Sequence, residues 1–141
     1  MGVAMYEFGE STVIRADLSA VWDTVTDVSA WPAWDPHEQQ ARLDGPFATG
    51  TTGWSKPRGG PATTWRLTEV VPRRRWASEC DLPGGTLSGV TAYEPLDDRR
   101  IRCTKTIRVT GPLTPLFRFY FARRIRRDML KTWAALETRS A

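Results

Sequence analysis

The chain has 141 residues, 40% hydrophobic and 26% charged, a balance that fits one soluble globular domain spanning residues 1–141. Its apolar runs are too short to cross a bilayer, and the opening MGVAMYEFGE lacks the basic patch and apolar run of a secretory signal, so a cytoplasmic location is expected. The formal charge of +4 comes from scattered arginine clusters without a nucleic-acid-binding pattern, and two cysteines with one histidine cannot furnish a usual zinc shell. Nucleic-acid partners, bound metals and cofactors are therefore not expected.

Residues 5–15, MYEFGESTVIR, read as a first strand rich in aromatic and β-branched residues. ADLSAVWDTVTD follows as a short helix, with Asp17 or Ser19 as N-cap and Val21, Trp22 and Val25 as its apolar stripe. A second helical turn covers residues 29–34, with Pro32 tolerated near its start. The stretch WPAWDPHEQQ, residues 31–40, then gathers two indoles, Asp35 and the lone His37 into an irregular corner. From about residue 38 the pattern changes to period two. Six segments separated by Gly, Pro or Asp punctuation (KPRGGP, VVPR, LPGG, LDDR) predict an antiparallel meander. Gly111 and Pro112 end it, and residues 113–140 read as a long helix. Leu113, Phe117, Phe121, Ile125, Met129, Trp133 and Leu136 recur there as one apolar stripe. A sheet with helices on one face is an α+β arrangement.

In order and spacing, VIRADLSAVWDTVTDVSAWPAWDP, GTTGW, WRLTEVVPRRRW and GPLTPLFRFYFARRIRRDMLKTWAALE resemble the START-like (SRPBCC) superfamily over nearly the whole chain. That group includes polyketide cyclases/dehydrases, Bet v 1-like proteins and lipid-transfer domains. The resemblance implies a helix-grip fold. A curved seven-stranded antiparallel sheet wraps a long C-terminal helix, two short helices follow the first strand, and a deep cavity lies between sheet and helix. Members bind lipids, sterols, polyketides or phenolics, and some catalyse cyclisation, dehydration or hydrolysis. The superfamily has no universal catalytic motif, so no catalytic residue carries over by alignment.

Strand parity indicates which side chains would line such a cavity. In RRIRCTKTIRV the odd positions, Ile101 to Val109, form an apolar face interrupted only by Lys105. Either Lys105 points inward and needs an acidic or ligand partner, or a bulge or the strand end lets it reach water. The same alternation turns Tyr93, Trp76, Ser78, Cys80, Trp65 and Leu67 inward and leaves Glu79, Asp81 and Arg66 outside. In HEQQARLDG it puts His37, Gln39, Ala41 and Leu43 on one face, and Glu38, Gln40 and Arg42 on the other. Trp54 is the expected inward residue of TTGWSK, and Trp34, Phe117, Tyr120 and Phe121 complete an aromatic interior. Aromatic walls with a few polar groups suit a small hydrophobic molecule.

Lacking a nucleophile motif, such a site would work by positioned proton donors and acceptors. Histidine ordinarily exchanges protons near neutrality, so His37 is the first acid/base candidate, with Asp35 nearby to orient it. Tyr93 and Lys105 are candidates to stabilise a developing oxyanion. The inward set Trp34, Gln39, Trp54, Trp65, Trp76, Ser78, Cys80, Phe117, Tyr120 and Phe121 is expected to bind the ligand. Arg58 sits on a glycine-flanked turn that would serve as a lid or simply as a solvated hairpin tip. The expected function is cyclisation, aromatisation or dehydration of a polyketide-like molecule in secondary metabolism. The alternative is a non-catalytic carrier or sensor of a lipid, quinone or other hydrophobic metabolite. The LFRFYFARRIRR segment would suit an anionic membrane surface, but a grip helix with an apolar inner and basic outer face accounts for it more simply. The assembly is expected to be a monomer or homodimer.

Overall fold

The computed structural model describes residues 4–140; the first three residues of the N-terminal stretch and Ala141 lie outside it. Strand β1 (Met5–Arg15) leads into helix α1 (Leu18–Thr26), a 3₁₀ turn at Val28–Ala30 and the short helix α2 (Trp31–Trp34). Strands β2 (Glu38–Leu43), β3 (Thr52–Pro57), β4 (Thr63–Val71), β5 (Arg75–Leu82), β6 (Gly85–Pro95) and β7 (Arg100–Thr110) follow. The chain closes with α3 (Thr114–Leu116), a π-helical segment at Phe117–Phe121, and α4 (Ala122–Arg139).

All strand pairs are antiparallel, in the order β1-β7-β6-β5-β4-β3-β2. The meander follows from tight connections. Between β5 and β6 only Pro83 and Gly84 intervene, and Gly84 takes φ +71°, the left-handed value that the third position of such a turn requires. Asp17 is the N-cap of α1, its carboxylate accepting from the Ala20 backbone N–H at 3.0 Å. The curled sheet, the long closing helix and the short helices after β1 make this the helix-grip fold.

The grip is hydrophobic. On β7, Ile101, Cys103, Ile107 and Val109 are buried while Arg102, Thr106 and Arg108 are exposed, as the alternation predicts. Ile101, Cys103 and Ile107 join Phe8 and Ile14 of β1, Tyr93 of β6, and Met129, Trp133 and Leu136 of α4 in one core. A second core gathers Val28, Trp31, Trp65, Leu67 and Cys80, with Trp34 and Trp76 packed against both. Arg15 fastens the helix end: its backbone N–H donates to the Glu137 carboxylate at 2.7 Å.

Three inward readings fail for identifiable reasons. Gln39 is exposed and accepts from Lys56 Nζ at 2.8 Å, because β2 bulges there: Glu38 pairs with Pro57 and Gln40 with Lys56. The extra residue turns Glu38, expected outside, to the interior. Pro57 has no N–H to offer the ladder, which loosens pairing at that end. Trp54 faces outward beneath the Arg42 guanidinium, 5.1 Å from its ring centroid. The buried position in that strand is Gly53, where a β-carbon would collide with the Trp65 ring crossing it. Phe117, Tyr120 and Phe121 do not line the cavity, and Tyr120 is 73% exposed. The π-helical turn inserts a residue, so the buried face resumes at Ala122 and leaves the aromatics before it outside.

Candidate active site

The corner at residues 31–38 is built before it is functional. The Trp31 indole N–H donates to the Val25 carbonyl at 2.9 Å, and its ring stacks on Trp65 with centroids 5.8 Å apart. Asp35 is buried, with Oδ1 accepting from the His37 backbone N–H and from the Thr132 hydroxyl of α4, each at 2.9 Å. His37 Nδ1 lies 3.4 Å from Asp128 Oδ2, also on α4, with its side chain 40% exposed. Two contacts from one face of the helix thus hold Asp35 and His37 at the cavity rim.

Behind them are two adjoining hollows of about 150 and 260 Å³. They share Trp31, His37, Glu38, Trp76 and Lys105 as a common waist. The smaller also takes walls from Trp34, Tyr93, Met129 and Trp133; the larger takes them from Trp65, Ser78, Cys80 and Leu87. Jointly they reach the size range of small-molecule sites, roughly 300–1,000 Å³.

The waist carries the charge. Glu38 is only 8% exposed, and its Oε2 has no hydrogen-bond partner. Burial, reinforced by the Asp35 carboxylate and opposed by the Lys105 ammonium, raises the Glu38 pKa from 4.5 to about 7. Lys105 is itself pushed down by burial, while Asp35 and Glu38 pull it back up. Its Nζ lies 6.0 Å from the Trp76 ring centroid. Of the two readings open for Lys105, the inward one therefore holds.

Tyr93 accepts from the Trp76 indole N–H at 3.1 Å, and burial raises its phenol far above the ordinary range, keeping it a neutral donor. Trp34 Nε1 is buried without a partner. The cavity thus holds an unpaired donor, Trp34 N–H, and an unpaired acceptor, Glu38 Oε2, a combination that native interiors leave open for water or ligand. Cys80 and Cys103 are free thiols whose pKa values burial raises, Cys103 to about 12, so neither is a ready nucleophile.

Of the candidates read from sequence, His37, Tyr93, Lys105, Trp34, Trp65, Trp76, Ser78 and Cys80 come together around these hollows. Gln39, Trp54, Phe117, Tyr120 and Phe121 lie outside them. Glu38 was missed because parity alone placed it outside; the opposing Pro57 was the available signal. Arg58 lies on the exposed β3–β4 turn, its backbone N–H donating to the His37 carbonyl at 2.9 Å.

The family described as polyketide cyclase / dehydrase and lipid transport matches residues 5–141. The chain belongs to that family. Solved structures agree on the fold of this polyketide cyclase/dehydrase-family protein. The Zhui aromatase/cyclase from Streptomyces sp. R1128 superposes with TM-score 0.76 at 17% identity, covering 97% of this chain and 94% of that one. A START superfamily protein from Mycobacterium smegmatis gives 0.73 at 13%, covering 99% and 97%. The di-domain aromatase/cyclase StfQ of the steffimycin biosynthetic pathway gives 0.78 at 12% identity. There 96% of this chain is covered, and it spans 50% of StfQ. Among curated proteins no sequence matches. No helix among the described residues of this family member is long and apolar enough to cross a membrane.

Proposed function

We propose that the cavity binds a small aromatic or polyketide-like molecule and catalyses its cyclisation, aromatisation or dehydration by proton transfer at Glu38. The observation that carries this reading is the buried Glu38 carboxyl, unpaired at Oε2 and with a pKa of about 7. A carboxylate with such a pKa removes a proton from carbon next to a carbonyl and returns it, as its conjugate acid, to an oxygen that leaves as water. The Tyr93 hydroxyl, the Trp34 N–H and Lys105 supply hydrogen-bond donors for the enolate oxygen formed in between. His37, held beside Asp128 at the rim, is the second candidate acid/base group.

The aromatase/cyclase likenesses and the family's cyclase and dehydrase members support this chemistry. The family's lipid-transport members favour a second reading, in which the same Trp34 and Glu38 atoms hold a carried ligand without transforming it. Native mass spectrometry of freshly purified protein is expected to reveal a co-purifying aromatic or polyketide-like compound. With that compound, Glu38→Gln is expected to lower turnover by about 10²–10⁴-fold while changing affinity only a few-fold. If wild-type protein binds the compound but never transforms it, the carrier reading replaces the catalytic one.

Lys105→Met gives an independent check. The Lys105 charge lowers the Glu38 pKa, so its removal raises that pKa further. Glu38 acts as base when ionised, so kcat/KM rises with pH through its pKa, and Lys105→Met is expected to shift that limb to higher pH. A pH–rate profile measures the shift. An unmoved limb would separate Lys105 from the base.

A further inference from the structure

The grip helix leaves an aromatic segment unburied at its start. Phe119 and Tyr120 are 71% and 73% exposed, and Leu116 and Phe121 are also exposed. Packing onto the sheet, the simpler explanation for an apolar helix stripe, therefore does not apply to them. Large apolar side chains clustered on a surface mark an interaction site.

Their surroundings identify the partner. From Gly111 to Arg127 the chain has five arginines and no acidic residue. Of these, Arg118, Arg123, Arg124 and Arg127 are exposed, and none forms an ion pair among the described residues. The Arg118 guanidinium lies between two rings, 5.7 Å from Tyr6 and 5.4 Å from Phe119, which steadies it at the surface. A second copy of this chain would set the same arginines against each other without a counter-charge. Aromatic side chains that enter a headgroup layer, ringed by cations that meet its phosphates, match an anionic bilayer surface.

We infer that the exposed Leu116–Phe121 segment, flanked by Arg118, Arg123, Arg124 and Arg127, docks on anionic membranes. The segment adjoins the cavity rim. Ile125 and Asp128, one and two turns further along α4, line the cavity, and Gly59 of the β3–β4 turn packs near Arg124. Docking there brings the opening beside the bilayer, where a hydrophobic ligand is most concentrated. The attachment is peripheral and weakens with salt.

Co-sedimentation of the full chain with phosphatidylcholine vesicles, with and without phosphatidylserine, tests this. At low salt the protein is expected to pellet with the anionic vesicles and stay in solution with the neutral ones. Arg123→Ala with Arg124→Ala is expected to weaken binding about thirtyfold, at about 1 kcal/mol per basic residue. Phe119→Ala with Tyr120→Ala is expected to weaken it about tenfold or more. All four side chains are exposed, so circular dichroism of the variants should match the wild type. The inference is overturned if the protein does not pellet with anionic vesicles at low salt, or if removing the aromatics leaves binding unchanged. It is likewise overturned if the wild type is a dimer that these aromatic substitutions dissociate. None of these outcomes depends on whether Glu38 is catalytic.

Discussion

Glu38→Gln is expected to lower turnover by about 10²–10⁴-fold, the usual contribution of a positioned acid/base group, and at the same time to stabilise the fold. The two signs have one cause. Glu38 is buried where its charged form loses hydration, and its pKa rises from 4.5 to about 7 on folding. Between those values the folded chain holds a proton that the unfolded chain has released, so stability falls as pH rises through this window. Below pH 4.5 both states are protonated and no penalty exists; above about pH 7 the penalty is complete. The rise corresponds to a penalty on the order of 3 kcal/mol. Glutamine carries no charge, so the variant should gain most at alkaline pH and almost nothing near pH 4. Urea unfolding across pH measures this directly. A variant less stable than wild type at pH 8 would mean that the ionised carboxylate is a structural ion-pair member rather than a strained functional group.

Trp133→Ala is expected to cost about 3–5 kcal/mol, lowering the midpoint of thermal unfolding by roughly 10–17 °C. Trp133 is 4% exposed, belongs to the main core and forms part of the cavity wall, so truncation removes buried surface and leaves a void. Trp54→Ala provides the contrast. Its ring lies on the outer face under Arg42, so the loss should stay near 1 kcal/mol, as for an exposed cation–π contact. Thermal unfolding followed by circular dichroism separates them. Equal losses would contradict the inside and outside assigned to the two indoles.

The pair also shows where sequence reading succeeds. On β7 every second residue from Ile101 to Val109 points inward without interruption, so parity correctly placed even the anomalous Lys105. β5 and β6 pair without a register shift, which is why Trp76 and Tyr93 were legible as neighbours of the same cavity. Parity fails where one residue is added. The bulge at Gln39 reverses Glu38, and the π-helical turn displaces Phe117, Tyr120 and Phe121 from the helix's buried face. At Gly53 the failure is different: Trp65 from the neighbouring strand claims the space, a tertiary fact that local alternation does not encode. The scaffold was therefore legible, while the carboxylate at the centre of the cavity was hidden by a single-residue irregularity.

The most direct test of that carboxylate is a carbon-13 NMR titration of the glutamate side-chain carboxyls in the wild type and in Glu38→Gln. One carboxyl is expected to titrate at about pH 7 in the wild type. That signal should be absent from Glu38→Gln and should shift when a cavity ligand is added. If the Glu38 signal instead titrates near its ordinary value of 4.5, the carboxyl is not poised for proton transfer at neutrality, and the proposed chemistry fails.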